Sequence, residues 1–259
     1  MQEITIKDGN FLINSEWERN NPEKYKYSPA TPKAIEDVEQ AVHRDDVYKT
    51  NGLELEHFLS IRNNQANNDR DTVIHKILLI DYTNSTNLRM YGKKGTSVFS
   101  LADRIIENGP RLDQMIQEGN PNAVKTIAGF GTVNLFSFAT KYCCYHNTIC
   151  YKRDDYSIYD RIVARTIPYY LNVNPSFISN CRKNQDYLEY KKIIDTLIAV
   201  YNLQSIPKIR RKIDHFLWFQ DKTKNKKQIN RFAGGGSAAS ESELTLDKSF
   251  EREARMENL

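Results

Sequence analysis

Apolar residues recur at helical spacing along nearly the whole chain, and strand-like alternation is scarce. Thr31–Tyr48 opens on Thr31-Pro32, a cap residue followed by a first-turn proline, and predicts a helix. Glu54–Arg62 predicts a short one with Leu55, Phe58 and Leu59 inward. Asp71–Tyr82 predicts a strongly apolar one through Val73, Ile74, Ile77, Leu78 and Ile80. Ser97–Asn108 and Leu112–Glu118 are amphipathic and separated by Gly109-Pro110. Ala123–Ala128 leads through Gly129 and Gly131 to Leu135, Phe138, Ala139 and Tyr142, which share a helical face. A further apolar segment carries Ile158, Ile162 and Val163 until Pro168 ends or kinks it, and the stretch through Pro175 reads as irregular. Asp186–Leu203 predicts a long helix on Leu188, Ile193, Ile194, Leu197, Ile198 and Tyr201. Pro207–Asp221 predicts another, on Ile209, Ile213, Phe216, Leu217 and Phe219. The pattern predicts an all-α fold, with Glu3–Lys7 alone reading as a strand or arm.

Two residues between Asn134 and Val163 stand out chemically. Lys141 falls near the start of one predicted helix. Asp160 falls in the first turn of the next, where the helix dipole favours a carboxylate. A polar, turn-rich loop (His146, Asn147, Thr148, then Arg153-Asp154-Asp155) joins them and is short enough to bring the two helix starts together. Gly129 and Gly131 do not make a phosphate loop, because no Gly-Lys-Ser/Thr follows and no strand precedes; they let a helix turn sharply.

This segment resembles the active-site region of the helix-hairpin-helix DNA glycosylases, in particular the 8-oxoguanine type. In that family a Gly-Thr-Lys supplies an attacking lysine and a Pro-Val-Asp nineteen residues later supplies an aspartate. Ala139-Thr140-Lys141 and Ile158-Tyr159-Asp160 match these elements at the same separation. Asn134–Val163 is similar, more closely, to a bacterial branch of the fold carrying a Ser-Phe-Ala-Thr-Lys-Tyr-Cys run and a later Ile-Tyr-Asp. The departure lies in the hairpin. The family's Pro-Gly-Val-Gly, whose glycines let backbone amides approach a phosphate, is here Phe136-Ser137-Phe138-Ala139. The catalytic pair therefore carries over further than the hairpin geometry.

The resemblance implies two helical lobes within residues 1–233 and a site in the cleft between them. It also implies a flipped nucleotide whose sugar is attacked by Lys141 while Asp160 stabilises the developing cation. A Schiff base at Lys141 would allow strand cleavage after base loss. The implied partner is double-stranded DNA with a modified base, bound by a monomer without a cofactor. The reading leans to a phage cytosine modification such as glucosylated 5-hydroxymethylcytosine, removed in antiviral defence; 8-oxoguanine is the alternative. His146, Asn147, Tyr142 and Tyr159 are candidates to contact the base, as is Phe216 on a late helix that supplies a pocket wall in the oxoguanine type. Each has a plainer role open to it: Asn147 as a helix C-cap, His146 as a surface residue, the rings as core. Two further classes remain: a catalytically silent DNA-binding module of the same fold, and an interaction factor acting through the acidic tail.

Charge and composition add to this picture. The net charge of +4 is uneven: residues 234–259 hold six acids and three bases, so the excess of bases lies in 1–233. Pro207–Arg231 holds nine bases against two acids, a solvated face or a DNA-backbone stripe. Backbone contacts are expected from Arg210 and Arg211 there, from Ser137 and Thr140 beside the hairpin, and from Lys93 and Lys94 in a polar loop that equally reads as a plain helix connection. Gly234–Ala239 reads as a flexible linker, with an acidic segment after it that is either an appendage or a partner-binding tail. The Gln2–Asn10 start is unlike a signal peptide, no stretch approaches a membrane span, and four cysteines suit a reducing cytoplasm. Cys143, Cys144, His146 and Cys150 invite a metal reading. Adjacent cysteines on a helix point about 100° apart, however, and the spacing differs from the iron–sulfur loop of related endonucleases. Core thiols and no metal are expected.

Overall fold

In the computed structural model the described residues are 6–7, 10–11, 29–44, 46–84, 86, 88, 96–129 and 133–222. Their architecture is all-α apart from one short antiparallel pair, β1 (Ile6–Lys7) with β2 (Asn10–Phe11). The helices are α1 (Pro32–Arg44), α2 (Asp46–Ser60), α3 (Arg70–Asn84), α4 (Val98–Glu107), α5 (Gly109–Glu118), α6 (Asn122–Ala128), α7 (Phe136–Tyr145), α8 (Arg161–Thr166), α9 (Pro175–Lys183), α10 (Tyr187–Val200) and α11 (Ile209–Lys222). Residues Met1–Asp221 form one unit and Lys222–Leu259 a second. The glycine linker, the acidic tail, Lys93 and Lys94 lie outside the described residues.

Local chemistry accounts for most helix ends. Thr31 caps α1 by accepting from the Ala34 amide, and Ser97 and Ser100 form a reciprocal capping box on α4. Asp186 accepts from the Glu189 amide at the start of α10. Gly119 (φ +74°) ends α5 with paired amide-to-carbonyl bonds from Gly119 and Asn120, a left-handed cap; a Cβ there would lie 2.7 Å from the Asp155 side chain. Pro168 stops α8 by turning it into a 3₁₀ turn, Ile167–Tyr169.

Several expectations are revised. The segment between the first two predicted helices is itself helical, so α2 starts at Asp46. Gly52 is accommodated mid-helix because Leu55 and Leu59 are fully buried. The stretch read as irregular leads into α9, which the sequence reading did not predict, with Asn174 as its cap and Pro175 in its first turn. Leu78 and Leu188, taken as core, are exposed.

Helix α7 is the centre of the packing, lying against α6 and α3. Eight of its residues are buried, from Phe136 to Cys144 with Ser137 excepted, so it is enclosed on nearly all sides. Under it lies a polar knot. The Lys76 amine, wholly buried, donates to Gln65 O, Ala66 O and Asn67 Oδ1, each at 2.9 Å. Asn67 Oδ1 also accepts from the Tyr142 hydroxyl, while the Asn67 amide and side chain donate to the Asp113 carboxylate. Burial pushes the Lys76 amine down to about 8, against the pull of Asp113. Gly109 touches this knot: a Cβ on it would sit 2.2 Å from the Asn67 carbonyl oxygen. Gly109→Ala is expected to destabilise the protein by about 3 kcal/mol, because backbone rather than a flexible side chain must yield. A denaturant midpoint equal to the native protein's would overturn that.

Candidate active site

Lys141 lies in the middle of α7, not near its start, because the helix begins at Phe136 and takes in the residues that replace the family hairpin. The start of α7 is held by internal bonds: the Leu135 amide donates to Ala128 O and the Phe136 amide to Asn134 Oδ1, whose own amide donates to Arg182 O. Only 5% of Lys141 is exposed, and its Nζ donates to Ser137 Oγ at 3.0 Å, one turn back on the same face. Burial lowers its affinity for a proton; Asp160 and Asp214 pull the other way and Arg211 adds to the lowering.

Asp160 caps α8, its Oδ1 accepting from the Val163 amide at 2.7 Å. The extended strap before it, Tyr156–Tyr159, is buried without strand partners, so side chains satisfy its backbone. Tyr187 Oη accepts from the Ser157 amide at 2.6 Å, and Tyr190 Oη donates to Ile158 O at 2.6 Å. Thr140 Oγ1 accepts from the Tyr159 amide at 3.0 Å. This last bond joins the residue before Lys141 to the residue before Asp160 and brings their two elements side by side. Sequence reading missed Tyr187 and Tyr190; their spacing of three places both on one face of α10, the only signal they give.

Helix α11 brings a third group of charges. Asp214 is 8% exposed and paired with Arg211, which also donates to Tyr145 Oη at 3.0 Å and lies over the Tyr145 ring, 5.0 Å from its centroid. Tyr145 Oη in turn donates to Asn84 Oδ1. Next along α11, His215 Nδ1 donates to Glu39 Oε1 of α1 at 2.6 Å. Burial raises the Asp214 carboxyl, with the Arg211 charge opposing and Asp160 reinforcing. Asp214 was not legible as a site residue, since an acid three positions after an arginine reads as an ordinary helix pair.

Of the other expected contacts, His146, Asn147, Tyr142, Tyr159, Phe216 and Thr140 are buried, while Ser137, Arg210 and Arg211 are half-buried. His146 and Asn147 do not lie in a loop: α7 widens into a π-helical turn, His146–Cys150, which turns both inward. His146 stacks on Tyr142 at 4.4 Å and donates from Nδ1 to Tyr142 O. Its imidazole is held well below the usual range by burial and by Lys76, hence neutral. Asn147 donates to Ile116 O and Asp155 and accepts from the Asp155 amide, tying the following loop down. Tyr142 and Phe216 are fully buried, and Tyr159 packs edge-on against Phe136 and Tyr190. Thr140 is buried in its bond to the strap, and Ser137 is engaged by Lys141. On α11 three bases of the expected stripe have acid partners, and the stripe's residues 223–231 lie outside the described residues. The Arg210 guanidinium pairs with Asp195 and donates to Asp154 O, its backbone amide donates to the Asp154 carboxylate, Arg211 pairs with Asp214 and Lys212 with Glu36. These partners, apart from Asp214, come from distant sequence, so no local count of charges reveals them.

The four cysteines are free, and three are buried. Among the described residues no group of three or more His, Cys, Asp or Glu side chains is placed to hold a metal, and no helix is long and apolar enough to cross a membrane. Burial raises every one of the thiols, Cys144 to about 12 and Cys150 and Cys181 to about 11. Thiols that ionise later in the folded than in the unfolded chain contribute stability that is complete below about pH 9 and lost as pH rises toward 11–12. The Lys76 amine works oppositely, its burial cost fading between about pH 8 and its ordinary value of 10.5. The buried Lys141 amine, lowered in the same direction, adds to the Lys76 effect; with four thiols against two amines, Tm is expected to fall from about pH 9 to 11. A flat or rising profile by circular dichroism would refute this.

A family model described as HI_0787_N, N-terminal domain, matches residues 33–154, a span that includes Lys141 and ends before Asp160. No curated protein and no solved structure matches the chain.

Proposed function

We propose that the protein is a DNA glycosylase with Lys141 as nucleophile and Asp160 as the carboxylate that stabilises the sugar cation. The observation that supports this most is the Thr140–Tyr159 bond. It sets side by side the elements carrying an amine and a carboxylate that are nineteen residues apart in the sequence, the spacing of the glycosylase motif. The amine's environment suits the role: burial favours the neutral, nucleophilic form, and its neighbour is a hydroxyl rather than a paired acid. Attack of the neutral amine on the anomeric carbon would break the bond to the base, which leaves with a proton, and opening of the sugar ring would then give an imine at Lys141 from which elimination of the 3′-phosphate would cleave the strand. The favoured substrate is double-stranded DNA with a bulky phage cytosine modification such as glucosylated 5-hydroxymethylcytosine, excised by a cytoplasmic monomer in antiviral defence. The changed hairpin is the reason for preferring it to 8-oxoguanine.

Borohydride trapping tests the reading on three DNAs: one with 8-oxoguanine, genomic DNA from a phage with glucosylated hydroxymethylcytosine, and an unmodified control. A covalent adduct on one modified DNA supports it. No adduct and no abasic sites on any of them would remove it. A second reading, a silent DNA-binding module, is favoured by the burial of Tyr142, His146 and Phe216, which takes three proposed base contacts into the core.

A further inference from the structure

We propose that Arg211 and Asp214 form a positioning pair that holds a buried carboxylate away from the Lys141 amine and so leaves that amine unpaired and able to attack. The inference rests on the glycosylase reading for its purpose, though not for its geometry. Ser137, Lys141 and Tyr145 follow one another at intervals of four and form a single polar stripe on α7. At one end Lys141 donates to Ser137. At the other end Tyr145 receives the Arg211 guanidinium, both through its hydroxyl and over its ring. Arg211 is thereby anchored on the turn of α7 that follows Lys141, and the anchor continues through Tyr145 to Asn84 on α3.

Asp214 is the acid for which the two cations compete. Its charge acts on both Lys141 and Arg211, yet the ion pair forms with Arg211, and among the described residues Lys141 makes none. A guanidinium suits this task because its planar fork holds the carboxylate with one arm and Tyr145 with another. The charged groups that act on Lys141 are Asp160 at the α8 cap and Asp214 and Arg211 on α11. Without the guanidinium, the cationic groups left around Asp214 would be His215, which is held by Glu39, and Lys141, and the freed carboxylate would hold the Lys141 amine protonated. Without the carboxylate, the unopposed guanidinium would drive the proton off.

The test is a carbon-13 NMR titration of the Lys141 side chain in the full-length protein, with borohydride trapping against pH run beside it. Arg211→Gln is expected to move the Lys141 midpoint up and to slow trapping at pH 7 on the order of tenfold, with recovery in alkali. Asp214→Asn is expected to move the midpoint down. Arg211→Lys, which keeps a cation on Asp214, is expected to stay near the native value and guards against a Gln variant that fails to fold. Trapping lost in these variants with no movement of the Lys141 titration would overturn the proposal and leave the pair a purely structural one. Opposite shifts of the two midpoints without any DNA adduct in the native protein would uphold the pair and remove the glycosylase reading instead.

Discussion

Lys141→Met is expected to abolish the trapped adduct and to lower base release on the order of 10³-fold or more, the scale seen when an enzyme loses its nucleophile. The same change should leave the protein as stable as before or make it slightly more so. Methionine keeps the length of the lysine stem, and the amine it removes is buried with a hydroxyl as its partner and no ion pair among the described residues. The two readouts belong together. Loss of activity with an unchanged Tm assigns the amine to chemistry, whereas loss of both would make it a structural element. An adduct that persists in Lys141→Met would place the nucleophile elsewhere.

Asn67→Ala is expected to be the most destabilising of the single substitutions considered, at about 3–5 kcal/mol. One carboxamide serves three other side chains. It accepts from Lys76 and Tyr142 and donates to Asp113, and it is itself wholly inaccessible. Truncation leaves the Tyr142 hydroxyl without its bond in the interior and takes one acceptor from a buried ammonium. Asp113 keeps the bond from the Asn67 amide, which sets an upper bound on the damage. Tyr142→Phe removes one of these contacts and should cost about 1 kcal/mol. Chemical denaturation of both variants checks the ranking; a cost below that of Tyr142→Phe would mean the knot does not stabilise the fold.

Much of the helical framework is legible in the sequence, because apolar spacing reports helices directly. The Thr31 cap, the Gly109-Pro110 break and the Pro168 stop each act through local backbone chemistry. The phase of a helix is less legible. On α10 the leucine at 188 faces outward, while Tyr187 and Tyr190 face inward, because their hydroxyls are needed by a strap thirty residues earlier. The Lys141–Asp160 relation could be read as a spacing, but its physical basis, a threonine hydroxyl on the Tyr159 amide, appears only in three dimensions. His146 and Asn147 were misplaced because a widened turn shifts helical phase without a local sequence signal. The pairing of Arg210 with Asp195, and its bonds to Asp154, were not legible because both acids are distant in the chain.

The strap that carries Asp160 has a consequence for how the site comes apart. Its backbone is tied to α7 through Thr140 and to α10 through two phenols, so the Ser157 and Tyr159 amides should resist solvent exchange like those of a regular helix. Detachment of α10 would loosen the strap at Ser157 and Ile158 while the Thr140 bond kept its Tyr159 end on α7. The carboxylate of the proposed chemistry is therefore held from two sides, and loss of the α10 side would loosen its placement before the core itself unfolds.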